Sequence, residues 1–308
     1  MSTRSNSIAG RTRRIEAAHK ITKQGIMIIK TCHICGNRDL SRYPYGDHLR
    51  QRRCSLKRLG AHLLSPVASV LSKKYYDVIN VRTLFSSFFP IMRCQGCGYG
   101  VYARKILPEW LHKYYSSDYF QAGGLPSEQW HSERLFLDDP RAIGQYACVK
   151  DWIEKLDLKA LDIGAGNAFF MRFLRAKHAG GLQLFVVEPG EGWEAYYKAN
   201  DISLVGKFFP FNTELRFNYI HTSHWLEHVV DLAGTMVRLK GILEPGGFIF
   251  VEVPDCPLDY FYSDSGDVPH IHFFTKDSLQ LLFKRHGFEV LTIDVYGQSL
   301  RALFRLVN

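Results

Sequence analysis

This sequence predicts an α/β protein: a mostly parallel sheet with helices on both faces, ending in an antiparallel hairpin, with a small metal-held unit in front. Three observations carry that expectation. From Lys159 onward, strand patterns at 159–163, 182–187, 203–206, 217–222 and 247–253 alternate with helical ones, as a parallel sheet with crossover helices requires. The last two strands, 288–296 and 299–307, are separated only by Gly297-Gln298, which reads as a hairpin turn. Two CxxC pairs, Cys32-His33-Ile34-Cys35 and Cys94-Gln95-Gly96-Cys97, stand in the first third of the chain.

Taken in order, the chain divides into four parts. Residues 1–28 are rich in Ser, Arg and Lys without apolar periodicity and read as a flexible basic leader. Residues 29–106 form a zinc-ribbon domain. Each CxxC with its trailing glycine makes a tight knuckle, and the two knuckles aim Cys32, Cys35, Cys94 and Cys97 at one zinc ion. Seven cysteines, an odd number, fit a reducing compartment better than a disulfide framework. The 58 residues between Cys35 and Cys94 form a long basic insert with an apolar patch at 63–71. That insert reads as a helical hairpin broken at Pro66 or as a surface resting on an anionic membrane. Residues 107–156 are a helical cap, with Trp110, Leu111 and Tyr114 at helical spacing after Pro108 and an interruption near Pro140. Residues 157–308 carry the α/β domain.

Charge is distributed unevenly. Residues 1–106 hold 20 Lys and Arg against 4 Asp and Glu, whereas residues 107–308 hold 19 against 26, so the net +9 is concentrated at the front. Such a front suits an anionic partner, whether a membrane surface, a phosphorylated substrate or nucleic acid. No apolar run approaches the roughly 18 residues of a membrane span and the first 25 residues lack a secretory apolar core, so the expected location is cytoplasmic, including the inner face of a membrane.

The chemistry concentrates at Leu161-Asp162-Ile163-Gly164-Ala165-Gly166-Asn167, a strand that turns through two glycines into a helix. Glycines there let a ligand approach the backbone, and the helix that follows points free N–H groups at it. Phe169 stands where a dinucleotide fingerprint has a third small residue, and the Asp162 carboxylate suits a cationic ligand better than a diphosphate. The next strand ends on Val187-Glu188-Pro189, whose acid can accept both hydroxyls of a ribose. Further on come Tyr219-Ile220-His221-Thr222-Ser223-His224-Trp225-Leu226-Glu227-His228 and Leu243-Glu244-Pro245-Gly246-Gly247.

In order and spacing these motifs resemble the class I S-adenosylmethionine (SAM)-dependent methyltransferases over roughly residues 155–308. The resemblance implies a Rossmann-like seven-stranded methyltransferase sheet and a SAM site formed by Asp162, Gly164, Gly166, Asn167, Glu188, Ser223 and His224. The paired knuckles, the segment Tyr114–Phe120, Pro269-His270-Ile271-His272-Phe273 and Gly297-Gln298-Ser299-Leu300-Arg301 extend the likeness. They resemble methyltransferases of sugar and surface-polysaccharide biosynthesis, including sugar C-methyltransferases. Pro269 stands where those C-methyltransferases have a Glu, which makes a hydroxyl the expected acceptor rather than a carbon.

A hydroxyl acceptor benefits from a base near neutral pH, and His270, placed after the fifth strand at the sheet's carboxyl edge, is the first candidate. His228 and His272 come next, while Tyr119 and Arg301 are candidates to hold a nucleotide-linked or lipid-linked sugar. Two other readings stand beside this one. The basic front could serve an RNA methyltransferase, although the sequence shows no RNA-module signature, or the chain could be a SAM-binding scaffold without turnover.

Overall fold

The computed structural model describes residues 29–43, 91–102, 111, 115, 133–190, 192–257 and 270–307. The leader 1–28, the 63–71 patch of the insert, Tyr119 and Pro269 lie outside the described residues. Strands β1 (Leu40–Tyr43), β2 (Ile91–Cys94) and β3 (Gly100–Tyr102) come first, followed by helices α1 (Glu133–Leu137) and α2 (Pro140–Ile153). The alternation then runs β4 (Leu158–Ile163), α3 (Phe169–Lys177), β5 (Leu182–Val187), α4 (Trp193–Ala199), β6 (Ser203–Gly206) and β7 (Phe217–Ser223). A short 3-10 turn (Leu226–His228), α5 (Leu232–Ile242), β8 (Leu243–Pro254), β9 (His272–Phe273), α6 (Lys276–Arg285), β10 (Phe288–Tyr296) and β11 (Ser299–Leu306) complete it.

Seven strands form the main sheet in the order β10-β11-β8-β7-β4-β5-β6. β4 pairs in parallel with β5 on one side and β7 on the other, while β11 runs antiparallel to both β8 and β10. The expected parallel sheet with an antiparallel terminal hairpin is therefore the observed one. β8 starts at Leu243 rather than 247, because the Glu244–Gly247 turn is absorbed as an irregularity between the pairs Phe217–Leu243 and Tyr219–Phe248. The expected interruption near Pro140 is the break at 138–139 between α1 and α2, and Pro140 opens α2: its missing N–H is harmless at the first turn, and the Asp139 side chain accepts the Ala142 amide at 2.7 Å.

Alternation along the strands sorts the core onto both faces. In β4, Leu161 and Ile163 pack with Phe217, Ile220 and the α6 residues Leu282 and Phe283, while Ala160 packs with Val149, Met171 and Tyr197 on the other side. Each large apolar side chain buried this way contributes about 1.5–3 kcal/mol. α6 is started by a reciprocal cap, in which the Thr275 hydroxyl accepts the Ser278 amide and Ser278 accepts the Thr275 amide.

A second sheet has the order β1-β2-β3-β9. Its fourth strand comes from residues 272–273, paired as Gly100↔Phe273 and Val101↔His272. The front unit drawn at 29–106 is thus not closed on itself, and Cys32, Cys94, Tyr99 and Val101 share one core with Phe274, Leu279 and the main sheet. Among the described residues no helix is long and apolar enough to cross a membrane.

Candidate active site

Strand order reverses between β4 and β7, since β5 and β6 lie to one side and β8 to the other. A crevice opens at the carboxyl ends of the strands at such a point. Here it is a cavity of about 940 Å³ lined by Asp162, Gly164, Gly166, Asn167, Glu188, Ser223, His224, His228 and His270, among others. Residues from β4, β5, β7 and the segment before β9 meet in it. The cap contributes Leu111 and Tyr115.

At one end the glycine turn is fixed from several directions. Gly164 (φ 77°) donates to the Val187 carbonyl at 2.8 Å, and Gly166 has φ 50° with no atom within 4 Å of where a Cβ would stand. The Tyr197 and Tyr196 hydroxyls of α4 donate to the Gly166 and Asn167 carbonyls at 2.5 and 2.8 Å. Asn167 Oδ1 accepts the Phe169 amide at 3.2 Å, just ahead of the α3 N-cap, Ala168. Glu188 receives the Gly166 amide on Oε2 at 2.8 Å and the Gly190 amide on Oε1 at 3.1 Å, each oxygen keeping a lone pair for a further donor. Burial pushes the Glu188 carboxyl up against these two amides, and burial plus the nearby Glu188 pushes Asp162 well above the usual range. Two buried acids, neither in an ion pair among the described residues and with Arg141 only partly offsetting the burial of Asp162, make this end receptive to positive charge and to hydroxyl donors.

Beneath it lies a polar cluster that sequence reading missed. Glu252, 2 % exposed near the carboxyl end of β8, accepts from Gln145 at 2.6 Å, Arg141 at 3.4 Å, Ser223 at 3.2 Å and Arg301 at 3.4 Å. Burial opposes its ionisation, but Arg141, Gln145 and Arg301 outweigh that and hold the carboxyl below its ordinary value. Arg301 is accordingly turned into this cluster and over the Tyr296 ring. A charged residue inside the apolar run Phe248–Val253 was the available signal.

At the other end, Glu227 is fully buried and its Oε1 lies 3.2 Å from His224 Nδ1, 3.7 Å from His228 Nε2 and 3.9 Å from His270 Nε2. The His228 and His270 rings are 4.8 Å apart, and the Tyr115 ring meets His228 edge-on at 5.7 Å. Glu227 Oε2 and His270 Nδ1 are buried without a hydrogen-bond partner among the described residues. His224 holds a φ of 52°, rare for a side-chain-bearing residue, and its amide donates to the Glu252 carbonyl at 2.8 Å. His272 departs from expectation. It is 2 % exposed, its Nε2 is 2.7 Å from the Val229 carbonyl and its Nδ1 is bonded to the Tyr99 hydroxyl, so both ring nitrogens are engaged away from the cavity.

Among the described residues, two groups gather metal-ligating atoms within 4.8 Å. In the first, Cys32 Sγ and Cys97 Sγ are 3.6 Å apart and Cys35 Sγ and Cys94 Sγ 3.4 Å, near the roughly 3.8 Å that a tetrahedral ion with bonds of about 2.3 Å imposes. The knuckles are regular: Gly36 and Gly98 have φ of 75° and 73°, and their amides donate to the Cys32 and Cys94 carbonyls at 2.9 and 3.0 Å. The second group, Glu227, His228 and His270, is looser. Its carboxylate–imidazole separations exceed the approximately 3.0–3.4 Å expected between neighbouring ligands at bonds of about 2.1 Å.

A family described as a methyltransferase domain matches residues 95–293. Among solved structures, the 1,6-didemethyltoxoflavin-N1-methyltransferase of Burkholderia thailandensis, bound to its substrate and S-adenosylhomocysteine, is 16% identical with a TM-score of 0.50, covering 72% of this chain and 97% of that one. A SAM-dependent methyltransferase from Aquifex aeolicus is 16% identical with a TM-score of 0.44, over 58% of this chain and 96% of the other. The magnesium protoporphyrin IX methyltransferase of Synechocystis is 11% identical with a TM-score of 0.45, over 64% and 98%. Comparison with curated proteins finds no match.

Proposed function

This chain belongs to the methyltransferase-domain family, and from that premise we propose that it transfers a methyl group from SAM to a hydroxyl of a sugar, nucleotide-linked or lipid-linked. The observation that carries the proposal is one cavity with two different ends: the acid-and-glycine end at Asp162, Gly166 and Glu188, and the histidine end backed by Glu227.

The first end suits SAM residue by residue. Glu188 keeps lone pairs for vicinal hydroxyls, Gly166 leaves room where a side chain would intrude, and Asp162 is a buried acid beside a site for an ammonium. When bound, SAM supplies a methyl carbon made electrophilic by its sulfonium. The protein's part is to hold the acceptor oxygen in line with that carbon and to receive the acceptor's proton.

His270 is the group we assign to that proton, with His228 beside it. Glu227, at 3.9 Å, stabilises the imidazolium that forms. The unpartnered Glu227 Oε2 and His270 Nδ1 favour an acceptor rich in hydroxyls, which can satisfy buried polar atoms that an apolar acceptor would leave bare. Cys32, Cys35, Cys94 and Cys97 we assign to a structural zinc: four thiolates close its coordination and leave no position for water.

The test is a panel of nucleotide sugars and glycolipids incubated with SAM and read by mass spectrometry for the gain of one methylene. His270→Ala should lower turnover about 10²–10⁴-fold with SAM affinity near normal. A panel without any methylated sugar, or unchanged turnover in the variant, overturns the acceptor class or the base respectively.

A further inference from the structure

The stretch from His270 to Thr275 does two things at once. Its first residue lines the cavity, and His272, Phe273 and Thr275 are bound to the four-cysteine unit. The Ile271 amide donates to the Glu227 carbonyl at 2.8 Å, which ties the two histidine-bearing segments together. His272 then spans the gap. A carbonyl can only accept, so the Val229 carbonyl fixes the ring proton on Nε2 at 2.7 Å and leaves Nδ1 as the acceptor of the Tyr99 O–H. Tyr99 lies two residues after Cys97, and the Thr275 hydroxyl donates to the Cys97 carbonyl at 3.1 Å. From knuckle to histidine wall two hydrogen bonds in series run Tyr99 to His272 to Val229, joined through the chain to Cys97 at one end and to His228 at the other, and Thr275 adds a separate bond to the Cys97 carbonyl.

Nothing in the fold requires this arrangement for burial alone. Tyr99 and His272 are both fully enclosed, at 1 % and 2 % exposure, against Phe274, and apolar side chains would fill the same space without a polar cost. What the pair adds is direction. A tyrosine hydroxyl and a single imidazole tautomer hold Val229 in one place, and the peptide before Val229 carries His228.

We propose that Tyr99 and His272 are positioning residues, through which the four-cysteine sheet sets the placement of His228 and His270 at the acceptor end of the cavity. The inference rests on the reading of those two histidines as the acceptor wall, so its test is read without any acceptor. Neither residue touches the cavity, and the SAM end is built from β4, β5 and α4, outside the run of bonds.

The experiment uses the full chain with ¹³C-labelled histidine, and follows the His228 and His270 imidazole signals through a pH titration. Tyr99→Phe removes one oxygen and keeps the ring. It should displace the titration midpoint of His228 or His270 by at least about 0.3 pH units, roughly a twofold change in the proton equilibrium. S-adenosylhomocysteine affinity by calorimetry should stay within twofold. His272→Gln, which keeps an N–H for the Val229 carbonyl, should fall between wild type and His272→Phe. Midpoints unchanged in Tyr99→Phe overturn the proposal, and so does an equal loss of S-adenosylhomocysteine binding, which signals general loosening instead. If the midpoints move and yet no sugar is methylated, the positioning stands and the acceptor class fails.

Discussion

Glu188 Oε2 accepts the Gly166 amide at 2.8 Å, so the acid that ends β5 is clamped onto the glycine turn that follows β4. The bond orients a carboxylate that burial would otherwise discourage from ionising, with the Gly190 amide on its other oxygen. Glu188→Ala removes both the acceptor for vicinal hydroxyls and the clamp. A charge-assisted hydrogen bond is worth about 1.5–3 kcal/mol, so SAM affinity should fall about ten- to a hundredfold in calorimetry. An unchanged dissociation constant would remove Glu188 from the donor site.

Gly164 and Gly166 both have positive φ, yet they should fail differently when changed to alanine. A Cβ on Gly164 would stand 3.2 Å from the Trp225 ring, whereas one on Gly166 meets no protein atom within 4 Å. Each substitution carries the left-handed backbone cost of about 1–2 kcal/mol. Gly164→Ala adds a clash inside the protein and should lower the thermal midpoint more and alter Trp225 fluorescence. Gly166→Ala should keep most of the stability and lose SAM affinity, because its methyl enters the cavity. If the two variants lose affinity and stability in equal proportion, the distinction is wrong.

How much of this could be seen in the sequence depends on how local each interaction is. The glycine-and-acid end of the cavity was legible because strand, turn and acid are each written in a few consecutive residues: Leu161–Asn167 and Val187-Glu188 announce their own geometry. The histidines were legible in part: His270, the first candidate, and His228 line the cavity, whereas only the pairing of β9 with β3 decides that His272, two residues from His270, meets Tyr99, 173 residues away. The Arg301 contact was hidden for the same reason: Glu252 sits on the neighbouring strand, opposite it in the β8–β11 register.

The Glu252 cluster should be a larger determinant of stability than its surface arginine suggests. Glu252→Ala leaves Arg301, whose side chain is 11% exposed, as a buried cation without its carboxylate, a change that costs about 3–5 kcal/mol. Arg141, 47% exposed, is screened by water, and Arg141→Ala should cost less than about 1 kcal/mol. Urea unfolding of both variants checks this order. A smaller loss for Glu252→Ala than for Arg141→Ala would show that water reaches the cluster.

His221 makes the fold sensitive to acid. It is 1 % exposed in β7, stacked against Phe170 at 3.9 Å and Phe250 at 4.8 Å, with the Tyr219 hydroxyl on Nδ1 at 3.2 Å. Burial lowers its pKa to about 3 from 6.5, with Glu252 opposing and Arg141 and Arg301 assisting. Below pH 6.5 the unfolded chain takes up a proton that the native ring refuses, so stability falls as pH falls, through to about pH 3. The slope for one such residue is about 1.4 kcal/mol per pH unit, or about 2 kcal/mol between pH 6.5 and 5. His272, also lowered to about 3 by burial, adds a slope of the same sign in the wild type. His221→Phe keeps the ring stack and deletes the titrating group, at the cost of leaving the Tyr219 hydroxyl without this partner. Its stability at neutral pH should therefore be lower than wild type, and the gap should narrow by about 2 kcal/mol on going to pH 5, because only the wild type loses the His221 contribution. Urea unfolding at the two pH values reads the gap directly. Parallel losses in both proteins would mean that His221 protonates in the native state without resistance.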